Sequence, residues 1–203
     1  MKKTFLIVVA LVSFTTFAFA GGDQNQNRFD GEKGQGPTRQ ERMANPNKDA
    51  LQMTQLDESQ KEIIYSIYEE EKVARDVYIT LGKLYPEENT FANIQLSEQT
   101  HMDAVRNLCD KYDISMPDVD QDVGTFNLPE MEVLYLGFVE EGSKSRLQAL
   151  VVGQEIEIMD IEDLGLALQD MPRDVQKVFS NLISASNNHL DAFTIAIERE
   201  TSQ

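Results

Sequence analysis

Residues 97–104 read Ser97-Glu98-Gln99-Thr100-His101-Met102-Asp103-Ala104, and they hold one of only two histidines in the 203-residue chain. The other opens a near copy, His189-Leu190-Asp191-Ala192. A glutamate precedes each at a similar distance, Glu71 by 30 residues (71 to 101) and Glu157 by 32 (157 to 189). That is the spacing of a duplicated helical hairpin. Such a duplication brings both histidines and several carboxylates together inside a four-helix bundle, where helical proteins build two-metal sites. A shared centre requires the two imidazoles to lie within about 10 Å of each other, because bonds to a metal are only about 2 Å long.

The flanking sequence predicts an all-α domain. A first helix starts after Asp57 and places Ile64, Ile67, Glu71, Ala74, Tyr78 and Leu81 at steps of three and four. A second, from about Phe91 to Tyr112, repeats the rhythm through Ile94, Glu98, His101, Val105 and Leu108. A third follows a start signal at Ser143 and carries Leu147, Leu150, Gln154, Glu157, Ile161, Leu164 and Leu168. The fourth begins near Pro172 as a first-turn proline and carries Val175, Val178, Leu182, Ser186, His189, Phe193 and Ala196. Each polar intruder lies midway along its helix. A polar group buried without a partner costs roughly 2 to 7 kcal/mol, so four helices would not each bury one without a use for it.

The connections set the topology. Short turns at 85–90 and 169–171 make two antiparallel hairpins. Between them runs a long stretch, Asp113 to Gly142, with turn residues Pro117 and Gly124 and a short helix expected from Pro129 to Glu141. One long crossover between two hairpins is the ferritin-like arrangement.

The ligand chemistry follows from the faces. Glu98-x-x-His101 sets a carboxylate and an imidazole one turn apart on one helix face, able to reach one cation or to bridge two. Facing helices add Glu71 and Glu157. Carboxylate and imidazole donors without thiolate favour iron or manganese, with zinc as an alternative.

These residues also carry a resemblance. Glu71-Lys72-Val73-Ala74-Arg75-Asp76-Val77-Tyr78 resembles the first-helix ligand segment of rubrerythrin-type proteins, and Glu98-x-x-His101 resembles their second-helix motif. The span from about Leu56 to Phe193 resembles more closely an uncharacterised family of single-domain ferritin-like proteins, known as a domain of unknown function. Its phrases are matched at 69–78, at 97–104 and at Asn188-His189-Leu190-Asp191-Ala192-Phe193. The resemblance implies a ferritin-like fold over nearly the whole folded part and leaves the reaction open. One departure stands out: the ferritin-like diiron pattern has Glu three residues before the fourth-helix histidine, and here that position is Ser186. Asp160, one turn after Glu157, could supply the missing carboxylate. Glu155 and Asp163 lie off the centre of that stripe.

Other residues read more plainly. Asp103 and Asp191 are roughly 200° from their histidines and belong on the surface. Lys72 and Arg75 read as solvated charges or as partners behind the ligands. Tyr78 reads as a buried phenol with one hydrogen bond, and Cys109 as a small core residue without a cationic neighbour.

Composition bounds the function. With 18 basic and 35 acidic residues the formal charge is −17, and removal of Lys2 and Lys3 with a leader makes it −19, which excludes a nucleic-acid footprint. Residues 1–20, with Lys2-Lys3, an apolar run and Ala18-Phe19-Ala20, read as a signal peptide cleaved after Ala20. A periplasmic or secreted protein with no membrane span after cleavage is expected. Residues 21–55 read as a disordered polar leader, and 56–200 as the folded domain. A single cysteine excludes a zinc ribbon, a rubredoxin-like module and an internal disulfide. No nucleophile elbow or phosphate-binding glycine loop occurs.

Two functions are carried forward. The first is an exported metalloprotein holding two iron ions, or manganese, through Glu71, Glu98, His101, Glu157, Asp160 and His189, with ferroxidase or peroxide-scavenging activity fed by an external reductant. The second is a non-catalytic module whose degenerate or single-metal site serves structure or protein interaction. The sequence leaves the oligomeric state open, a homo-oligomer included.

Overall fold

In a computed structural model of the full chain, residues 55–117 and 122–202 are described. The expected signal peptide and almost all of the polar leader lie outside these residues. The described residues form five helices and no strand: α1 (Glu58–Leu84), α2 (Asn89–Lys111), α3 (Pro129–Gly142), α4 (Arg146–Ala167) and α5 (Arg173–Thr201). None is long and apolar enough to cross a membrane. The all-α expectation holds.

α1 packs along α2 and α4 along α5, and the two hairpins meet through α1 against α4 and α2 against α5. α3, the short helix expected within the crossover, lies against α1 and α4. Buried stripes match the periodicity closely on three helices: Ile64, Ile67, Glu71, Ala74, Tyr78 and Leu81 on α1 are all buried, as are Ile94, Glu98, His101, Val105 and Leu108 on α2. On α5 the stripe differs only in that Phe179 is buried and Val178 is not fully so. α4 departs further. Leu147, Ile161 and Leu168 are only half-buried, whereas Ala149, Val152, Gly153 and Ile156 are core residues. α3 and α5 both pack on α4, so its covered face is wider than one stripe.

Helix starts shift for identifiable reasons. Asp57 caps α1 as expected, accepting from Gln60 N at 2.8 Å while its own N–H donates to Gln60 Oε1 at 3.0 Å. α2 starts at Asn89, earlier than Phe91, because the Glu88 carboxylate accepts from Thr90 N. The start signal of α4 is Ser145 and not Ser143: Ser145 Oγ accepts from Gln148 N, whereas Ser143 is the C-cap of α3. Pro172 is the N-cap of α5, with extended ψ, one position before the first turn. Asp57→Ala should cost about 1 kcal/mol by orphaning the first N–H groups of α1. A urea midpoint equal to the parent's would show that water replaces the cap fully.

The reading of Lys72 and Arg75 as solvated charges is corrected. Lys72 is fully buried, donating to Asp76 Oδ2 at 2.6 Å and to the Asp122 carbonyl at 2.9 Å, with its ammonium 4.5 Å from the Phe126 ring centre. Arg75 is buried too and donates through Nε to Asp76 Oδ1 at 2.8 Å. Asp76 also accepts from Gly124 N, and Glu69 accepts from Asn127 N and Leu128 N. The charges of the 69–76 segment therefore tie the crossover to α1. Glu69, Lys72, Arg75 and Asp76 each have a partner, which is the condition for tolerating a buried charge away from water.

Candidate metal centre

The polar positions of the four long helices converge at mid-height. On one side lies an apolar core containing Ile64, Ile67, Val105, Leu164, Phe179 and Leu182. On the other, Tyr78, Phe91 and Phe193 pack with ring centres 5.3 to 6.2 Å apart. Phe193 comes so close to α4 that a Cβ at Gly153 would lie 2.3 Å from its ring. This glycine lets α5 approach α4 beside the site.

Glu98 stands at the centre. Its Oε2 lies 2.8 Å from His101 Nδ1 and its Oε1 lies 2.8 Å from His189 Nδ1. Glu71 Oε2 approaches His101 Nδ1 at 3.1 Å, and Glu157 Oε2 approaches His189 Nδ1 at 3.4 Å. The imidazoles stack with ring centres 5.5 Å apart, well inside the separation a shared centre requires. Two trios result, Glu71 with Glu98 and His101, and Glu98 with Glu157 and His189. Within each trio the ligand atoms lie within 4.8 Å of one another, and all five residues are buried.

Asp160 belongs to neither trio. It is buried on the same face of α4 as Glu157, and its Oδ2 accepts from Ser186 Oγ at 2.6 Å. Ser186 thus does not leave a gap: its hydroxyl holds the α4 carboxylate next to the centre. Glu155 and Asp163 are half-buried outside it, and Asp103 and Asp191 are exposed, as their angular positions require.

Tyr78 was legible as a buried phenol, but its partner was not. Its hydroxyl donates to Glu157 Oε1 at 2.6 Å, fixing the carboxylate whose other oxygen faces His189. Cys109 is buried, and burial pushes its thiol up to about 11. Arg106 does act on it, contrary to the reading of no cationic neighbour, but burial outweighs that effect.

The electrostatics show how the groups share protons. Burial drives Glu71 and Asp160 well above the usual carboxylate range, the charge of Asp160 adding to Glu71 and that of Glu98 to Asp160. Burial also raises Glu157. Burial acts upward on Glu98 as well, but the two imidazoles against its oxygens, His101 and then His189, override it and bring the group down to about 2. Burial pulls the imidazoles down, yet their carboxylate neighbours prevail, raising His101 to about 11 and His189 to about 9.

These residues could hold a cation. Glu71 Oε1, Glu98 Oε1 and His189 Nδ1 are buried with no hydrogen-bond partner. Glu98 Oε1 and His189 Nδ1 are close together, but their approach is not that of a hydrogen bond. Lone pairs crowded in this way suit an ion placed between them. Charge also matches: the carboxylates of Glu71, Glu98, Glu157 and Asp160 balance two divalent ions if both imidazoles bind in the neutral form.

Residues 60–203 match a family described as "Uncharacterized protein domain (DUF2202)". The uncharacterised protein MJ0754 of Methanocaldococcus jannaschii is 44% identical over 139 residues, covering 68% of this chain and 75% of its own length. A crystal structure of the MJ0754 protein from Methanococcus jannaschii DSM 2661 is similar, with a TM-score of 0.71 at 40% identity, covering 75% of this chain and 87% of the other.

Proposed function

The chain belongs to the DUF2202 family, and for this member we propose a ferritin-like metalloprotein holding two divalent first-row ions, iron or manganese in preference to zinc. The observation that carries the reading is the pair of buried trios sharing Glu98 across imidazoles 5.5 Å apart, with three ligand atoms left unpartnered. The ferritin-like part rests on two antiparallel hairpins joined by a long connection that contains α3.

In this reading Glu71 and His101 would hold one ion, and Glu157 and His189 would hold the other. Glu98 is shared, one oxygen toward each imidazole. Tyr78 orients Glu157 by its hydrogen bond, and Ser186 orients Asp160 so that this carboxylate neutralises the pair from α4. Iron bound there would supply one-electron chemistry toward dioxygen or peroxide, the basis of a ferroxidase or peroxide-scavenging activity. The side chain of His189 is 11% exposed, against 6% for His101, so a small oxidant would meet the centre at that edge. Turnover would draw on an external reductant. The signal-peptide reading of residues 1–20 supports a periplasmic or secreted setting for this activity.

Metal analysis of the purified protein beside His101→Ala and His189→Ala tests the reading, the expected result being two ions per chain in the parent and one in each variant. Equal content in all three would defeat it. Anaerobic addition of Fe(II), followed by air, should then raise the near-ultraviolet absorbance of the parent faster than that of either variant.

A second reading has its own support. Ser186 stands where a sixth carboxylate-or-imidazole residue, on α5, would complete a symmetric ligand set, and Asp160 is engaged with it. A structural, non-catalytic centre would bind ions with no iron oxidation above the buffer rate.

A further inference from the structure

Glu70 is one residue before the ligand Glu71, and the 100° turn this implies swings it off the centre toward the seam between α1 and α4. Ser66, one turn earlier, donates to its Oε1 at 2.9 Å, while its Oε2 is buried with no partner. A carboxylate oxygen kept from water with nothing to accept from is costly and calls for a use.

Its surroundings follow from the helix register. α1 and α4 run antiparallel: Gln60 reaches the Asp170 carbonyl just beyond α4, and Tyr78 reaches Gly153 and Glu157. Since both helices rise equally per residue, these pairings put Glu70 at the level of residues 160 to 165. Asp160 and Asp163 occupy that level. The fields agree with the placement, since Glu162 acts on Asp163, Asp163 on Glu70, Glu70 on Asp160, and Asp160 on Glu71. Exposure falls in the same order: Glu162 is exposed, Asp163 half-buried, Asp160 8% exposed and Glu71 1% exposed.

We propose that Glu162, Asp163, Glu70 and Asp160 form a carboxylate ladder along the α1–α4 seam, by which a divalent cation passes from solvent to the two trios, with half-buried Glu70 as the first rung whose oxygen is closed off from solvent. The proposal rests on the metal reading above. Each rung would exchange water of the ion for a carboxylate oxygen, so that it is never stripped of its shell in one step. The acidic surface of the chain draws cations toward the entrance.

Stopped-flow mixing of the metal-free full chain with Co(II), followed by visible absorbance, tests it. Glu70→Gln and Asp163→Asn should bind as many ions as the parent and reach the same final spectrum, with loading slowed about tenfold, within the range over which local charge alters association rates. Asp191→Asn, which removes the same charge from an exposed site on α5, should load at the parent rate. Asp163→Asn alters a half-buried position only, so it carries the test even if Glu70→Gln folds poorly. Loading within twofold of the parent in Asp163→Asn, or equal slowing in Asp191→Asn, overturns the ladder, and loss of an ion in Glu70→Gln at equilibrium makes Glu70 a ligand and also overturns it. A parent that takes up no Co(II) defeats the metal reading and the ladder with it, whereas a parent that loads beside unslowed variants defeats the ladder alone.

Discussion

Glu98→Ala is expected to empty both halves of the centre, leaving no bound ion where His101→Ala and His189→Ala each leave one. Each trio has three protein ligands, and Glu98 is the member common to both. Without it His101 keeps Glu71 and His189 keeps Glu157, and neither two-donor remnant meets the three or more protein ligands that such sites ordinarily use. Removing one imidazole instead leaves the other trio intact, with Glu98 free to serve it. The predicted series of two, one, one and zero ions per chain is specific to a shared carboxylate. Two independent sites would give two, one, one and one. Metal analysis after gel filtration reads the series, and circular dichroism shows whether the alanine variant keeps its helices. Two ions retained by Glu98→Ala would mean that the shared bridge is wrong even though metal is bound.

Why the centre was legible and its supports were not comes down to period. Glu71, Glu98, His101, Glu157, Ser186 and His189 interrupt apolar stripes, and a stripe of period 3.6 fixes which way each residue points before any partner is known. Packing between helices then brings together whatever shares a stripe. Glu69, Lys72, Arg75 and Asp76 lie off the stripe of α1, so periodicity consigns them to solvent. Their burial depends on where the crossover lies, and its Asp122, Gly124, Asn127 and Leu128 have no periodic signal that would reveal it. The same holds for Tyr78, whose inward direction was plain but whose partner on α4 depends on the hairpin register. α4 itself is covered from two sides, which is why its core includes Ala149, Val152 and Gly153, residues that a single-stripe reading passes over. Ser186 shows the reverse case: a departure that looks like a lost ligand in the sequence is a hydrogen-bond donor to Asp160 in the structure.

The metal-loaded protein should melt well above the metal-free protein, and the gap should widen between pH 6 and pH 8.5. Free metal at a thousand times its dissociation constant adds about 4 kcal/mol, which for a domain of this size raises Tm by roughly 10 °C. The pH trend comes from the imidazoles. In the metal-free protein their carboxylate neighbours raise His101 to about 11 and His189 to about 9, above the unfolded value near 6.5. Such pairs stabilise the fold fully below about pH 6.5 and lose that contribution as pH climbs toward the folded values. The raised carboxylates of Glu71 and Asp160 act in the same direction, since a folded state that holds extra protons weakens as protons become scarce. Bound metal reverses the trend, because Nδ1 must give up its proton to bind; affinity therefore rises with pH as each ion displaces at least one proton. Melting curves with excess Mn(II) and with chelator, taken across the range, should diverge as pH rises. Calorimetric titration in two buffers of different ionisation enthalpy should show two or more protons released per pair of ions. A gap that closes with rising pH would show that the imidazoles do not bind through Nδ1, and no gap at any pH would show that these carboxylates are balanced by protons alone.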